Sequence, residues 1–268
     1  MLRQRVLTES PILNVMIEAA QKAGRGLVRD FGEIEKLQVS RKGPGDFVSN
    51  ADKKAERRIE EILLKARPDY SFLMEESGEK KGLDTDNRWI VDPLDGTLNF
   101  LHGLPCFAVS IGYEKQGEIV AGVIYNPILD ELFWAEKGKG AFMNSQRLRV
   151  AGRKTVQESL FITDVTSSNP ESKKVSLKRQ ESLLNEGAII RLLGSTVLGL
   201  AYVASGRADG YFGGFVQPWD VAAGIIIVRE AGGFVQEIGG GTHPESGKSL
   251  IATNIDLLEP LDRAVNFS

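Results

Sequence analysis

The sequence predicts a layered α/β protein, and three features of its patterning predict it. An amphipathic helix opens the chain, short strands with tight turns fill its middle, and helices alternate with strands after about residue 150. That order stacks sheets between layers of helix. Of the 268 residues, 42% are hydrophobic and 26% charged, an ordinary globular balance with material for a sizeable core.

Each element has its own signal. Ser10 is a natural N-cap and Pro11 a natural first helical residue. Leu13, Met16, Ile17, Ala20, Ala23, Leu27 and Phe31 follow at helical spacing, and Gly32 stops the helix. Lys42-Gly43-Pro44-Gly45-Asp46 reads as the centre of a loop over 41–50. A charged helix is predicted over 51–66, with Ile59, Ile62 and Leu63 inward and Pro68 beyond it. Residues 71–74 form a short strand running into Glu75 and Glu76, and Trp89-Ile90-Val91 reads as a buried strand. Strands are predicted at 107–114, 118–126 and 131–136, joined by turns at Lys115-Gln116-Gly117 and Pro127 to Asp130. Gly138 and Gly140 mark the next turn. A polar helix near 171–184, a strand at 189–193, a small-residue helix over 195–204 and a strand near 209–212 follow. A long apolar helix over 220–231, strands near 234–237 and 249–252, and a helix over 255–265 complete the chain.

Composition excludes several classes of function. The net charge of −3 leaves no basic footprint for nucleic acid. Cys106 is the single cysteine, which rules out an intrachain disulfide and fits a reducing, cytoplasmic setting. With only His102 and His243, a zinc site on several His or Cys ligands is excluded, so a catalytic metal must rest on oxygen ligands, as Mg²⁺ or Mn²⁺ does. Arg3 and Arg5 are followed by Thr8, Glu9, Ser10 and Pro11, which is no signal peptide. The longest apolar run, Val221 to Val228, is too short to span a membrane. Gly241 to Ser249 imitates a Walker A loop, but five residues separate its glycines where four are needed, and strand rather than helix follows. The stretch Lys173 to Arg179 reads as a solvated helix face.

The most informative segment is Trp89 to Phe100. A buried strand ends in Asp92 and Asp95, and Gly96-Thr97 follows where a helix can begin. Hard divalent cations take carboxylates together with phosphate and water, and free N–H groups at a helix start suit phosphate. The same Asp-Pro-x-Asp-Gly stretch is also a good turn. Further acids stand where strands end or helices start: Asp52, Glu75, Glu76 and Asp220. Asp52 and Asp220 are equally natural first-turn acids that cap helices.

Taken together these segments resemble the inositol monophosphatase family. Trp89 to Thr97 is similar to its first signature, and Trp219-Asp220-Val221-Ala222-Ala223-Gly224, running to Glu230-Ala231-Gly232-Gly233, to its second. Asp46 to Asp52 and Glu75-Glu76-Ser77 match two further motifs in the same order, and the bacterial inositol-1-monophosphatase group, which includes the extragenic suppressor proteins, is the nearest in pattern. The resemblance spans nearly the whole chain. It implies an αβαβα sandwich over 1–268 as a single domain; the change of pattern along the chain itself puts a soft lobe boundary near residue 150. It implies a cytoplasmic homodimer with lithium-sensitive, Mg²⁺-dependent hydrolysis of a small phosphate ester on two or three ions.

The roles implied by that resemblance are specific. Glu75, Asp92 and the carbonyl of Leu94 would hold one metal, and Asp92, Asp95 and Asp220 a second, with a third ion near Glu75. Gly96 and Thr97 would receive the phosphate, Asp52 and Thr97 would share a hydrogen bond and activate water, and Glu76 would support the site from outside. Asp95, Gly194, Ser195 and Thr196 would contact the sugar ring. The family places a Glu seven residues before the Asp of its second signature; here Gly213 stands at that substrate-binding position, within Tyr211 to Phe215, and a flexible loop in which another group takes over is the alternative. Lys42 matches a family lysine with a spacing one residue short. The loss of that Glu keeps fructose 1,6-bisphosphate, 3′-phosphoadenosine 5′-phosphate and histidinol phosphate open as substrates. Some bacterial relatives serve transcription antitermination and ribosome maturation, so a transcription-machinery protein is the alternative partner.

Overall fold

The computed structural model describes residues 8–33, 39–43, 46–164, 170–214, 216–244 and 249–267, with the backbone alone at 39–43 and 46–49. Lys42, Asp46 and Phe215 thus lie outside what it describes of side chains, as do residues 245–248 of the Walker-like loop.

Five layers result. Helices α1 (Pro11–Phe31) and α2 (Asn50–Ala66) cover the outer face of an eight-stranded sheet. Its strands are β3 (Tyr70–Met74), β4 (Gly78–Lys80), β5 (Asp84–Asp95), β6 (Ala108–Lys115), β7 (Glu118–Asn126), β8 (Glu131–Glu136), β9 (Gly140–Met143) and β10 (Gln146–Arg147). Their order is β10-β9-β8-β7-β6-β5-β3-β4. Helices α5 (Thr196–Ala204) and α6 (Pro218–Glu230) pack on its inner face. Next comes a five-stranded sheet of β11 (Leu160–Thr163), β12 (Ile189–Leu192), β13 (Gly210–Gly214), β14 (Phe234–Gln236) and β15 (Ser249–Thr253), in the order β12-β11-β13-β15-β14. Helices α4 (Pro170–Asn185) and α7 (Ile255–Val265) close its far side. The helix–sheet–helix–sheet–helix order is the expected sandwich.

Helix α1 starts as its sequence requires: Ser10 caps it, accepting the N–H of Leu13 at 3.4 Å. Helix α6 is buried from Val221 to Val228 because it lies between two sheets, where a helix is apolar all round. Its close seat depends on glycine. A Cβ on Gly122 of β7 would stand 2.7 Å from the carbonyl oxygen of Ala223, a backbone atom with no room to yield. Gly122→Ala should therefore lower stability by about 1–3 kcal/mol, read as a drop in melting temperature of several degrees with little loss of specific activity in the folded fraction.

The structure corrects the loop over 41–50. There β1 (Val39–Gly43) pairs antiparallel with β2 (Asp46–Ser49), Arg41 opposite Phe47. The residues on either side of the Gly-Pro-Gly centre are thus paired strands, not an unstructured connection. Strands β4, β9, β10 and β11 were not expected. The Walker-like stretch runs into β15 at Ser249, a strand as foreseen.

Candidate active site

The site is built where β5 loses its register. Asp92 lies opposite Ser110 of β6, but Asp95 lies opposite Ala108, so three steps on β5 match two on β6. Such a bulge bends the strand and re-aims side chains. Pro93, which has no N–H to give a ladder, occupies it. The Leu94 N–H is turned back onto Asp92 Oδ1 at 2.9 Å, and Thr97 Oγ1 donates to the Leu94 carbonyl at 2.8 Å. Gly96 stands at φ +89°, and a Cβ there would lie 2.7 Å from the Cys106 carbonyl oxygen, so only glycine makes this turn. The short helix α3 (Thr97–Leu101) follows.

Glu75 and Asp220 join the β5 acids from other elements. Beside β5, the N–H of Glu75 bonds to the Val91 carbonyl at 3.1 Å, which continues the parallel β3–β5 ladder and puts Glu75 next to Asp92. Asp220 sits in the first turn of α6, where its Oδ2 accepts the Gln217 N–H at 2.7 Å. The capping role open to Asp220 from sequence is thus realised, and it holds the carboxylate at the site. Asp52, buried, lies in the first turn of α2. Asp95 reaches across to the start of α5, accepting the Ser195 hydroxyl and the Val197 N–H, the latter at 3.0 Å.

Burial and crowding of like charges dominate the electrostatics. Burial lifts the Asp92 carboxyl well above its usual range, and Glu75, Asp95 and Asp220 lift it further. Asp95 is raised likewise by burial and then by Asp220, against the opposing hydrogen bond from Ser195. Asp220 is pushed up to about 7, chiefly by burial, with Glu75 and Asp164 adding and the Gln217 N–H opposing. Among the described residues no three of these acids close into a finished cation cage; Asp92, Asp95 and Asp220 each accept a nearby N–H instead. The donor set itself fits a hard divalent cation: oxygen atoms only, on carboxylates whose repulsion a cation would relieve.

Several supporting residues carried no sequence signal. Glu56, buried one turn after Asp52, accepts the N–H of Glu76 at 2.9 Å and so anchors the Glu75–Glu76 segment to α2. Asn99 Nδ2 donates to the carbonyls of Cys106 and Leu193, both at 2.8 Å, tying α3 to the loop before α5. Asp164, raised by burial, accepts the Gly194 N–H at 2.6 Å. The Thr97 hydroxyl donates to the Leu94 carbonyl at 2.8 Å. Gly213 is buried in strand β13 opposite Leu250, which removes the alternative of a flexible loop. A Cβ there would meet the Tyr211 hydroxyl at 2.5 Å, so the Tyr211 ring fills the space where a side chain at 213 would begin. Tyr211 and Thr196 share a hydrogen bond at 3.0 Å.

Comparison with known proteins bears on this arrangement directly. The model of the inositol monophosphatase family matches residues 8–265. The chain belongs to that family. It is 52% identical over 259 residues to an inositol-1-monophosphatase of Mesorhizobium japonicum, covering 97% of each chain. It is 40% identical to the Nus factor SuhB of Escherichia coli, covering 91% of each. The crystal structure of the extragenic suppressor protein SuhB from Bartonella henselae superposes with a TM-score of 0.93 at 52% identity, over 96% of this chain and 99% of that one. The layered fold is therefore the fold of the family.

Proposed function

We propose that this protein is a Mg²⁺-dependent phosphatase that releases phosphate from a small phosphomonoester, inositol-1-phosphate first among them. The observation that carries the reading is the convergence of Glu75, Asp92, Asp95 and Asp220, from the end of β3, from β5 and from α6, beside the glycine turn at Gly96-Thr97. The family and its relatives named inositol-1-monophosphatase support it.

In this reading Glu75, Asp92, Asp95, Asp220 and the Leu94 carbonyl hold the ions, with Mn²⁺ as a substitute for Mg²⁺. Bound there, the metal would neutralise phosphoryl charge and make water acidic enough to attack near neutral pH. The start of α3 at Gly96 and Thr97 receives the phosphate. Asp52, Thr97 and Glu75 orient the attacking water and take its proton, and Glu76, held by Glu56, keeps Glu75 in place. Gly194, Ser195 and Thr196, braced by Asn99 and Asp164, form the wall that meets the alcohol part of the substrate. At Gly213 the Tyr211 phenol stands in place of a carboxylate. Cys106 is no competing nucleophile, because burial first, then Asp95 and Asp164, pushes its thiol up to about 11. Hydrolysis then proceeds by direct in-line attack of water without a phosphoenzyme, and a covalent phosphoprotein trapped in turnover would contradict it. A homodimer in the cytoplasm is part of the same reading. Among the described residues no helix is long and apolar enough to cross a membrane.

The test is Mg²⁺-dependent phosphate release from inositol-1-phosphate, fructose 1,6-bisphosphate, histidinol phosphate and 3′-phosphoadenosine 5′-phosphate, with and without lithium. Fast, lithium-sensitive turnover of inositol-1-phosphate is expected. Preference for another ester keeps the chemistry and moves the substrate. No release by a folded protein that binds Mg²⁺ overturns the reading and favours the second one, a protein-binding role in transcription, supported by the relatives named Nus factor SuhB.

A further inference from the structure

A cavity lies on the outer face of the protein, lined by none of Glu75, Asp92, Asp95 and Asp220. It opens between the C-terminal half of α1 and the N-terminal half of α2 and has a volume of about 370 Å³. Lys22, Arg25, Arg29, Lys54 and Arg58 line it, with Asp30 as the one acid among the described residues. Small residues make the floor: at Gly26 a Cβ would meet nothing within 4 Å.

This charge is out of keeping with the chain. The protein as a whole carries −3, yet among the described residues five cations and one carboxylate surround this recess. Asp30 is buried and does not fill it; its carboxylate pairs with Arg29 at 3.3 Å and Lys54 at 3.2 Å, holding two of the head groups in place. Lys22 and Arg58 make exposed pairs with Glu18 and Glu61 on their own helices. Such solvated pairs contribute little and yield readily to a better anion. Concave walls of one sign focus a field that draws in counter-charge. The volume falls within the roughly 300–1,000 Å³ of small-molecule sites.

We propose that this cavity is a regulatory site for a small polyanion carrying at least two phosphate groups, for which ADP serves as the probe. Helix α2 connects it to the carboxylate cluster. Lys54 and Arg58 face the cavity, while Asp52 and Glu56 on the same turns are buried, and Glu56 holds the N–H of Glu76. A ligand that draws Lys54 and Arg58 together therefore acts on the segment bearing Glu75. Only this coupling rests on the proposed phosphatase reading; the binding site stands apart from it.

The experiment is calorimetric titration of ADP into the full-length protein in EDTA at low salt. Without divalent metal the acids of the catalytic cluster repel an anion, so binding reports on the cavity. Saturable binding is expected, weakening with added salt. The double variant Arg25→Gln/Arg58→Gln, altered at two exposed helix positions, should keep its melting temperature and basal phosphate release while binding ADP about 10–100-fold more weakly. No binding by the parent protein, or equal binding by the variant, overturns the site. Sedimentation with phosphatidylglycerol vesicles that is lost in the variant, without ADP binding, assigns the cations to a lipid headgroup and overturns the free anion. At fixed free Mg²⁺, ADP should change the Mg²⁺ dependence of phosphate release in the parent alone. Binding with no such change overturns the coupling.

Discussion

Asp95→Asn should abolish Mg²⁺-dependent phosphate release while leaving the protein folded. Asp95 does two things at once. It adds charge to the cluster with Asp92 and Asp220, and it accepts the Ser195 hydroxyl and the Val197 N–H that start α5. Asparagine keeps the shape and one acceptor oxygen, so the link to α5 survives. It removes the charge, and with it an oxygen that the proposed ions require. The loss should exceed the roughly 10–100-fold that outer partners of a metal ligand cost. Stability should not fall in step, because one like charge leaves a crowded, buried group. Activity within tenfold of the parent would remove Asp95 from the ligand set. The same variant separates the two functional readings, since a protein-binding role in transcription would survive it intact.

The sequence was most legible where a signal is local. Helix α1 runs from Pro11 to Phe31 because cap, first-turn proline and apolar spacing all agree. Strands β7 and β8 fall on 118–126 and 131–136, as their alternation and hairpin turns require. The 39–49 hairpin was hidden because Gly43, Pro44 and Gly45 signal a turn without revealing the short strands on either side. The burial of β11 depends on its parallel neighbours β12 and β13, which no local pattern announces.

The site divides in the same way. Its acids stand at strand ends and helix starts, and a reader of the sequence can mark each of them. What brings them together is tertiary: the bulge between Asp92 and Asp95, the ladder bond from Glu75, the Gln217 cap on Asp220. Glu56, Asn99 and Asp164 gave no signal because their partners are distant in the chain. Asn99 reaches Leu193, 94 residues away, and Asp164 reaches Gly194, 30 away. Gly213 shows the converse. Its departure from the family pattern is plain in the sequence, but that Tyr211 fills the space is visible only once β13 is formed.

The metal-free protein should lose stability as pH rises from about 4 to about 7, and Asp220→Asn should remove much of that loss. Asp220 moves from an ordinary 3.8 in the unfolded chain to about 7 in the fold. A raised carboxyl binds its proton more tightly when folded, so the folded state gains from protonation below the unfolded value. That gain drains away as pH climbs toward the folded one. Three pH units correspond to at most about 4 kcal/mol, less what partial solvent access screens. Asparagine mimics the protonated acid and can still accept the Gln217 N–H. In EDTA the variant should therefore match the parent near pH 4.5 and melt several degrees above it at pH 8. Adding Mg²⁺ at pH 8 should reverse the order, because the ionised carboxylate then faces a cation and the amide does not. A variant that melts below the parent at pH 8 in EDTA would show that Asp220 matters to the fold as a helix cap more than as a crowded charge.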